Sequence, residues 1–248
     1  MRKFGLIGFP LGHSFSERYF KEKFARESIQ DCRYTSFELA SVSELSDLLK
    51  DSELEGLNVT IPYKEAVIPF LHKKDPIVEQ TGACNCILIR GGRLTGFNTD
   101  VIGFETSLTT KLRPGDKRAL ILGTGGSSKA VAWVLKKKNI DFLYVSRKKT
   151  DSPDQLNYEE LNEQILKSHS LIINCTPLGM FPKTDQFPPI DYGSLGPGHY
   201  LFDLVYNPEK TVFLTRGEAA GARIKNGADM LALQAEASWL IWNRPSEG

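Results

Sequence analysis

The chain has 248 residues, 41% of them hydrophobic, and a formal net charge of +1. That length supports one or two domains with sizeable cores, and the even charge balance argues against a broad nucleic-acid-binding surface. No apolar run reaches the roughly 18 residues of a membrane span. The opening Met1-Arg2-Lys3-Phe4-Gly5-Leu6-Ile7-Gly8 reads as a strand without a signal-peptide cleavage site, so a cytoplasmic protein with no membrane partner is expected.

Residues 4–7 form the first strand-like run. A helical pattern follows at about 17–24, then a strand at 34–37, a helix at about 42–49 and a strand at 57–61. Such alternation predicts a mostly parallel sheet. A further helix is expected to start near Lys64 and continue through Leu71. Residues 86–89 and 93–95, separated by Gly91-Gly92, predict a hairpin with a tight turn. Cys84 and Cys86 alternate there and read as small core residues. With Cys32 and Cys175 they form no CxxC pair and have no His-rich companion, so neither a metal nor a disulfide is indicated. A helix should run from Asp100 to about Thr110, where Arg113-Pro114-Gly115-Asp116 breaks it.

Residues 119–149 read as a dinucleotide-binding βαβ unit. The run Ala119-Leu120-Ile121-Leu122 feeds the loop Gly123-Thr124-Gly125-Gly126-Ser127-Ser128, an Ala/Val-rich helical pattern, and a second apolar run ending Val145-Ser146-Arg147-Lys148-Lys149. Gly123 permits the tight turn, Gly125 lets the backbone approach a pyrophosphate, and Ser128 stands for a third glycine where helix packs on strand. Phosphates would sit on the amide hydrogens at the helix N-terminus. Where a carboxylate would bind a ribose 2′-hydroxyl, the chain offers Arg147, Lys148 and Lys149. Cations there suit a 2′-phosphate, which predicts NADP rather than NAD. The competing readings are a purely structural turn and a solvated basic strand end. Lys136-Lys137-Lys138 reads as such a solvated cluster, well placed on the helix dipole.

Strand-like runs return at 171–173, 200–204 and 222–224, and the Pro- and Gly-rich loop 176–198 between the first two is long enough to suggest function. The last apolar helix, 230–242, is expected to return to the N-terminal half. The fold class is therefore α/β with two domains. A discontinuous substrate-binding domain, 1–100 with 228–248, has a mainly parallel sheet; a Rossmann-type domain spans 101–227; and a cleft is expected between them.

Several polar residues could carry chemistry. Lys64 follows a strand and Pro62 at a helix start, where the dipole disfavours a cation, so helix stability does not account for it; general acid–base work would, and a solvated surface lysine is the competing reading. Asp100 precedes a helical pattern and reads equally well as an N-cap. Ser14-Phe15-Ser16-Glu17 has capping-box spacing, and Phe15 with Phe20 would staple the helix if Ser16 is the cap; the hydroxyls suit an anionic carboxylate just as well. Gln234, on a mostly apolar helix, reads by itself as exposed.

Motifs stand in order along the chain: Gly8-Phe9-Pro10-Leu11-Gly12-His13-Ser14-Phe15-Ser16, Asn58-Val59-Thr60-Ile61-Pro62-Tyr63-Lys64, Gly82-Ala83-Cys84-Asn85, and Gly96-Phe97-Asn98-Thr99-Asp100 with Gly103. After the glycine loop come Asn174-Cys175-Thr176-Pro177-Leu178-Gly179-Met180, Asp203-Leu204-Val205-Tyr206-Asn207-Pro208, and Gly227-Ala228-Asp229-Met230-Leu231 followed by Gln234. Together they resemble the shikimate dehydrogenase family over nearly the whole chain. The resemblance implies NADPH-dependent reduction of 3-dehydroshikimate to shikimate in aromatic amino acid biosynthesis, by a monomer or homodimer. It implies that Ser14 and Ser16 hold the substrate carboxylate. Thr60, Lys64, Asn85, Asp100 and Gln234 would gather round the ring oxygens, with Tyr206 nearby and Lys64 and Asp100 as the catalytic pair. It also places Gly123, Thr124, Gly125, Gly126, Ser127, Ser146, Arg147, Lys148, Thr176, Leu204 and Gly227 around the cofactor.

The chain departs from the family pattern at named positions. Glu17 stands where proline is usual, Tyr19-Phe20 where a His-Asn pair is common, Cys86 for threonine, Thr124 for alanine, and Ser146-Arg147-Lys148 for Asn-Arg-Thr. Glu17 would repel a nearby carboxylate unless it points away. A quinate or quinate/shikimate dehydrogenase is the nearest alternative, and Arg147 with its lysines favours the NADP reading. A nucleotide-sensing protein on the same scaffold would have no need of a proton donor such as Lys64.

Overall fold

A computed structural model describes residues 1–12, 15–148 and 150–245. The chain divides into two compact units, Met1–Asp100 with Ala232–Gly248, and Val101–Leu231.

The first unit contains β1 (Arg2–Gly8), α1 (Phe15–Arg26), β2 (Cys32–Glu38), α2 (Leu45–Leu48), β3 (Leu54–Val59), α3 (Tyr63–Ala66), β4 (Lys73–Lys74), α4 (Pro76–Thr81), β5 (Cys86–Arg90) and β6 (Arg93–Phe97). Its sheet has the order β2-β1-β3-β5-β6-β4. Strands β1, β2 and β3 are parallel, whereas β5 is antiparallel to both β3 and β6. β4 is parallel to β6, so five of the six strands point one way and only β5 runs against them, in the mostly parallel sheet with a hairpin that the sequence predicts. Gly91 and Gly92, with φ of 53° and 74°, make the hairpin turn in the left-handed region that glycine enters at no steric cost.

Alternation along the strands builds two cores. Ile7, Leu57, Val59, Ile87 and Ile89 face one side with Leu45, Val67 and Val78. Phe4, Cys86, Leu88 and Phe97 face the other, with Phe20, Phe24 and Trp242. Trp242 lies so close to Gly56 that a Cβ there would sit 2.3 Å from its Nε1, and that nitrogen donates to the Ile87 carbonyl at 3.0 Å. Cys84 and Cys86 are fully buried, as small core residues should be, and burial pushes the Cys84 thiol up to about 12.

Three helix readings are corrected. The helix expected through Leu71 is one turn, α3, followed by a 3-10 turn at Ile68–Phe70. Pro69 has no N–H for the α-helical ladder. The helix expected at 42–49 is a 3-10 turn, Val42–Glu44, capped by Ser41 and running into α2. Helix α1 begins at Phe15, so Ser16 lies inside its first turn rather than capping it, and Phe15 stacks on Tyr19 at 5.6 Å rather than on Phe20.

α5 (Asp100–Thr109) leads into the second unit, which holds β7 (Arg118–Leu122), α6 (Gly126–Lys137), β8 (Asp141–Ser146), β9 (Gln155–Asn157), α7 (Glu163–Ser168), β10 (Leu171–Asn174), β11 (Tyr200–Asp203), α8 (Val212–Ala219) and β12 (Arg223–Lys225). α9 (Ala228–Trp242) then returns to the first unit. The second sheet is parallel throughout, in the order β12-β11-β10-β7-β8-β9. Strand order reverses between β7 and β10, the switch point at which doubly wound sheets hold ligands. Strands β7 and β10 are buried along nearly all their length, as parallel strands covered on both faces must be. The loop 176–198 contains a single 3-10 turn, Tyr192–Ser194, and buries Ile190 and Leu195 in the core of this unit.

Candidate active site

In the first unit the polar residues gather where β3 and β6 end. Lys64, on the single turn of α3, donates from Nζ to Asp100 Oδ2 at 2.6 Å. The two side chains are only 13% and 9% exposed, so the pair is held largely out of water. Asn85 Nδ2 donates to the other carboxylate oxygen, Asp100 Oδ1, at 2.8 Å. The Asn85 amide is itself oriented by Thr99, whose backbone N–H donates to Asn85 Oδ1 at 2.6 Å and whose hydroxyl lies 3.1 Å from it. Asp100 is the first residue of α5, and its carboxylate is taken up by Lys64 and Asn85, so the N-cap reading does not hold. A four-residue α3 carries little dipole, and Lys64 lies directly against the Asp100 carboxylate. A proton-bearing nitrogen locked beside a carboxylate suits proton exchange with an oxygen that gains or loses charge.

Gln234 is buried on α9, against the exposure expected from sequence. Its neighbours Ala235 and Ser238 are fully buried, and its Oε1 lies 3.5 Å from the Thr99 hydroxyl, so the position faces the polar cluster rather than solvent. Thr60 is half-buried just past β3, with its N–H on the Ile7 carbonyl at 2.9 Å. Ser16 is buried on α1, where its side chain hydrogen-bonds the phenol of Tyr34. Desolvation holds that phenol well above its ordinary range. Glu17 turns to β2, where its carboxylate accepts from the Ser36 hydroxyl at 2.5 Å and the Ser36 N–H at 3.2 Å. These bonds turn the Glu17 carboxylate toward β2. Ser14 lies outside the described residues.

The second unit brings the other group to the carboxyl ends of its parallel strands. Gly123 follows β7 with φ of 101°, a conformation open to glycine. A Cβ on Gly123 would lie 2.9 Å from Thr176 Cγ2, so the loops after β7 and β10 meet at the switch point. Thr124 and Gly125 are both exposed, and a Cβ at Gly125 would meet nothing within 4 Å, which leaves room over the loop. Gly125 is also the N-cap of α6 and supplies no side chain to its first-turn amides, which begin with Gly126 and Ser127. Ser128 is buried and its hydroxyl donates to the Gly125 carbonyl at 2.7 Å, which fits its place against the strand.

After β8, Ser146 Oγ donates to the Lys148 carbonyl at 2.9 Å and accepts from the Lys148 N–H at 3.1 Å and from Gln155 Nε2 at 3.0 Å. That turn leaves Arg147 and Lys148 exposed. Lys149 lies outside the described residues. Arg147 is close enough to Tyr158 for its charge to oppose the burial that pushes the phenol up to about 12. At the end of β12, Gly227 comes so near Leu204 that a Cβ would lie 2.2 Å from the Leu204 carbonyl oxygen. Tyr206 is half-buried in the segment after β11, in the second unit.

Behind these loops stand residues the sequence reading did not assign. Asn174 Oδ1 accepts from the Thr176 hydroxyl at 2.6 Å, and Asn174 Nδ2 donates to Asp203 Oδ1 at 2.9 Å. Asp203 also accepts from the Thr211 hydroxyl at 2.6 Å and the Val205 N–H at 3.0 Å. Its burial outweighs these bonds and pushes the carboxyl up to about 6. Asn174 and Asp203 each open a quoted motif and end a parallel strand, the signal that could have marked them. Among the described residues there is no cluster of His, Cys, Asp and Glu able to hold a metal and no helix long and apolar enough to cross a membrane.

The model of the shikimate dehydrogenase substrate binding domain matches residues 6–87. A shikimate dehydrogenase (NADP(+)) of Desulforamulus reducens is 33% identical over 263 residues, spanning 96% of this chain and 88% of the relative. The crystal structure of shikimate dehydrogenase 1 from Peptoclostridium difficile superposes with a TM-score of 0.86 at 34% identity, covering 100% of this chain and 94% of that one. The shikimate 5-dehydrogenase of Thermus thermophilus, crystallised with NADP(H) and shikimate, superposes with a TM-score of 0.85 at 27% identity, covering 98% of this chain and 94% of that one.

Proposed function

Because the chain belongs to the shikimate dehydrogenase family, we propose that it interconverts 3-dehydroshikimate and shikimate with NADP(H), in the cytoplasm. The reading rests on the Lys64–Asp100 pair, 2.6 Å apart and shielded from water, with Asn85 on the second carboxylate oxygen. The first unit carries the substrate and proton chemistry and the second the cofactor. The domain bounds read from sequence, 1–100 with 228–248 and 101–227, differ from these units in assigning 228–231 to the first.

NADP fits the second unit: the open space over Gly125, the N-terminus of α6 with its side-chain-free Gly125 cap and the exposed Arg147 and Lys148 match a pyrophosphate and a 2′-phosphate. Gly123 to Ser127, Ser146, Thr176, Leu204 and Gly227 line the same strand ends. When bound, NADPH supplies the hydride. Reduction of the ketone leaves charge on its oxygen, which the Lys64 ammonium stabilises and protonates; in the reverse direction Lys64 takes that proton back. Asp100 holds the ammonium in place and accepts from the adjacent substrate hydroxyl. Ser14 and Ser16 bind the carboxylate, while Thr60, Asn85, Gln234 and Tyr206 bind ring oxygens.

Purified protein assayed with shikimate or quinate, each with NADP or NAD, should give fast reduction with shikimate and NADP. Rapid turnover of quinate or with NAD places it instead among the broader quinate/shikimate enzymes, and no turnover in any pairing refutes the proposal.

A further inference from the structure

Asn58 opens the motif that ends in Lys64, yet no role follows for it from the chemistry above. It is buried on β3, on the face of the sheet that packs against α1 and α9. Its side chain is bonded at both ends. Asn58 Oδ1 accepts from the Tyr34 hydroxyl at 2.9 Å, while Nδ2 donates to Ser238 Oγ at 2.9 Å and to the Asn85 carbonyl at 3.3 Å. Ser238, fully buried on α9, donates to the Gln234 carbonyl at 2.9 Å, and its Oγ lies 3.2 Å from the Thr99 hydroxyl. Thr99 orients the Asn85 amide, and Asn85 holds Asp100. A continuous line of buried hydrogen bonds thus runs from Tyr34 on β2, through Asn58 and Ser238, to Thr99, Asn85 and the Asp100–Lys64 pair.

We propose that Tyr34, Asn58 and Ser238 are positioning residues, which set Asn85 and Gln234 around the Lys64–Asp100 pair without touching the substrate. Both Asn58 side-chain atoms are already used by protein groups, so its amide serves to join β2, β3 and α9 at one point. Ser238 fixes the Gln234 turn of α9 and at the same time meets Thr99, so displacement of α9 and rotation of the Asn85 amide are coupled. Groups in such a low-dielectric line are costly to leave unpaired, which gives it a single arrangement. The kinetic part of the proposal rests on the shikimate dehydrogenase reading; the structural part does not.

Two conservative variants break the line at different points. Tyr34→Phe removes the hydroxyl that joins Asn58 to Ser16, so its kinetic loss includes the Ser16 contact, and keeps the ring stacked on Phe20 at 4.5 Å. Ser238→Ala removes the hydroxyl in the middle. Each should lower kcat/KM for shikimate by about threefold to tenfold, the loss expected from one buried hydrogen bond, with NADP affinity unchanged. Because either cut interrupts the same line, the double variant should lose little more than the worse single one. Independent of turnover, hydrogen exchange at the buried Thr99 amide should speed up in both variants.

Unchanged Thr99 exchange in both variants overturns the relay, as does a double variant whose losses multiply, or a lowered Tm with unchanged kcat/KM. Faster Thr99 exchange in a protein whose wild type does not oxidise shikimate supports the relay and refutes the activity.

Discussion

Replacing Asp100 by Asn tests the pair on which the chemistry depends. At an effective dielectric of about 20, charges 2.6 Å apart attract by about 6 kcal/mol before desolvation is counted. Breaking a buried pair costs a net 3–5 kcal/mol. Lys64 keeps 13% exposure, which puts Asp100→Asn near the low end, at about 3 kcal/mol. For a chain of this size that corresponds to a Tm lower by about 6–12 °C. The amide would also set a donor against either Lys64 or Asn85, because both carboxylate oxygens accept in the native site. The double variant Lys64→Met/Asp100→Asn removes both charges together and should recover most of the lost Tm. Turnover behaves differently: single and double variants should both lose about 10²–10⁴-fold in kcat for shikimate oxidation, read from NADPH absorbance. The combination expected is a stability that recovers and an activity that does not. A near-wild-type kcat in Asp100→Asn, or a double variant less stable than the single one, refutes the assignment.

Arg147→Ala should weaken NADP binding by about 10- to 100-fold, the worth of a charge-assisted phosphate contact, while NAD affinity hardly changes; equal losses for both nucleotides would discredit the 2′-phosphate role. Asp203→Asn should alter the pH dependence of stability. With its carboxyl pushed up to about 6, the folded protein holds a proton that the unfolded chain has lost from about pH 4 upward, so this group's contribution falls as pH rises through that window. The rise corresponds to about 3 kcal/mol at most. The variant should therefore gain stability relative to the wild type above pH 6 and not below about pH 4. A constant difference in Tm across that range would contradict the raised carboxyl.

What the sequence revealed of the fold was what is written locally. Two adjacent glycines and flanking alternation give the hairpin, and a strand, glycine loop and helix give the β7–α6–β8 unit, because each is decided within some thirty residues. Strands of two and three residues such as β4 and β9 have too few positions to show a period. Helix α4 was missed although it carried its own marks. Asp75 caps it by accepting from the Ile77 N–H at 2.9 Å, Pro76 occupies its first position and Gly82 closes it with φ of 61°. The helix overextended past Lys64 is the converse case, where apolar spacing outweighed the plain warning of Pro69.

The site divides along the same line. Lys64 and Asp100 stood out in the sequence because they lie at the ends of successive elements, where chemistry-bearing side chains are placed by strands and short turns, whereas Asn85 came only with the family resemblance. Gln234 was misread as exposed because the polar group it faces, Thr99, is 135 residues away in the chain, and a helical period reports only which face is apolar. Asn58 and Ser238, 180 residues apart, carry no local signal at all beyond being polar within apolar elements. A buried polar side chain in an otherwise apolar strand or helix must find partners or destabilise the fold. Such a residue is therefore evidence of a long-range contact before the contact is known. In this chain Asn58, Gln234 and Ser238 all fit that description, and all three converge on Thr99 and Asn85, which hold the carboxylate that holds Lys64.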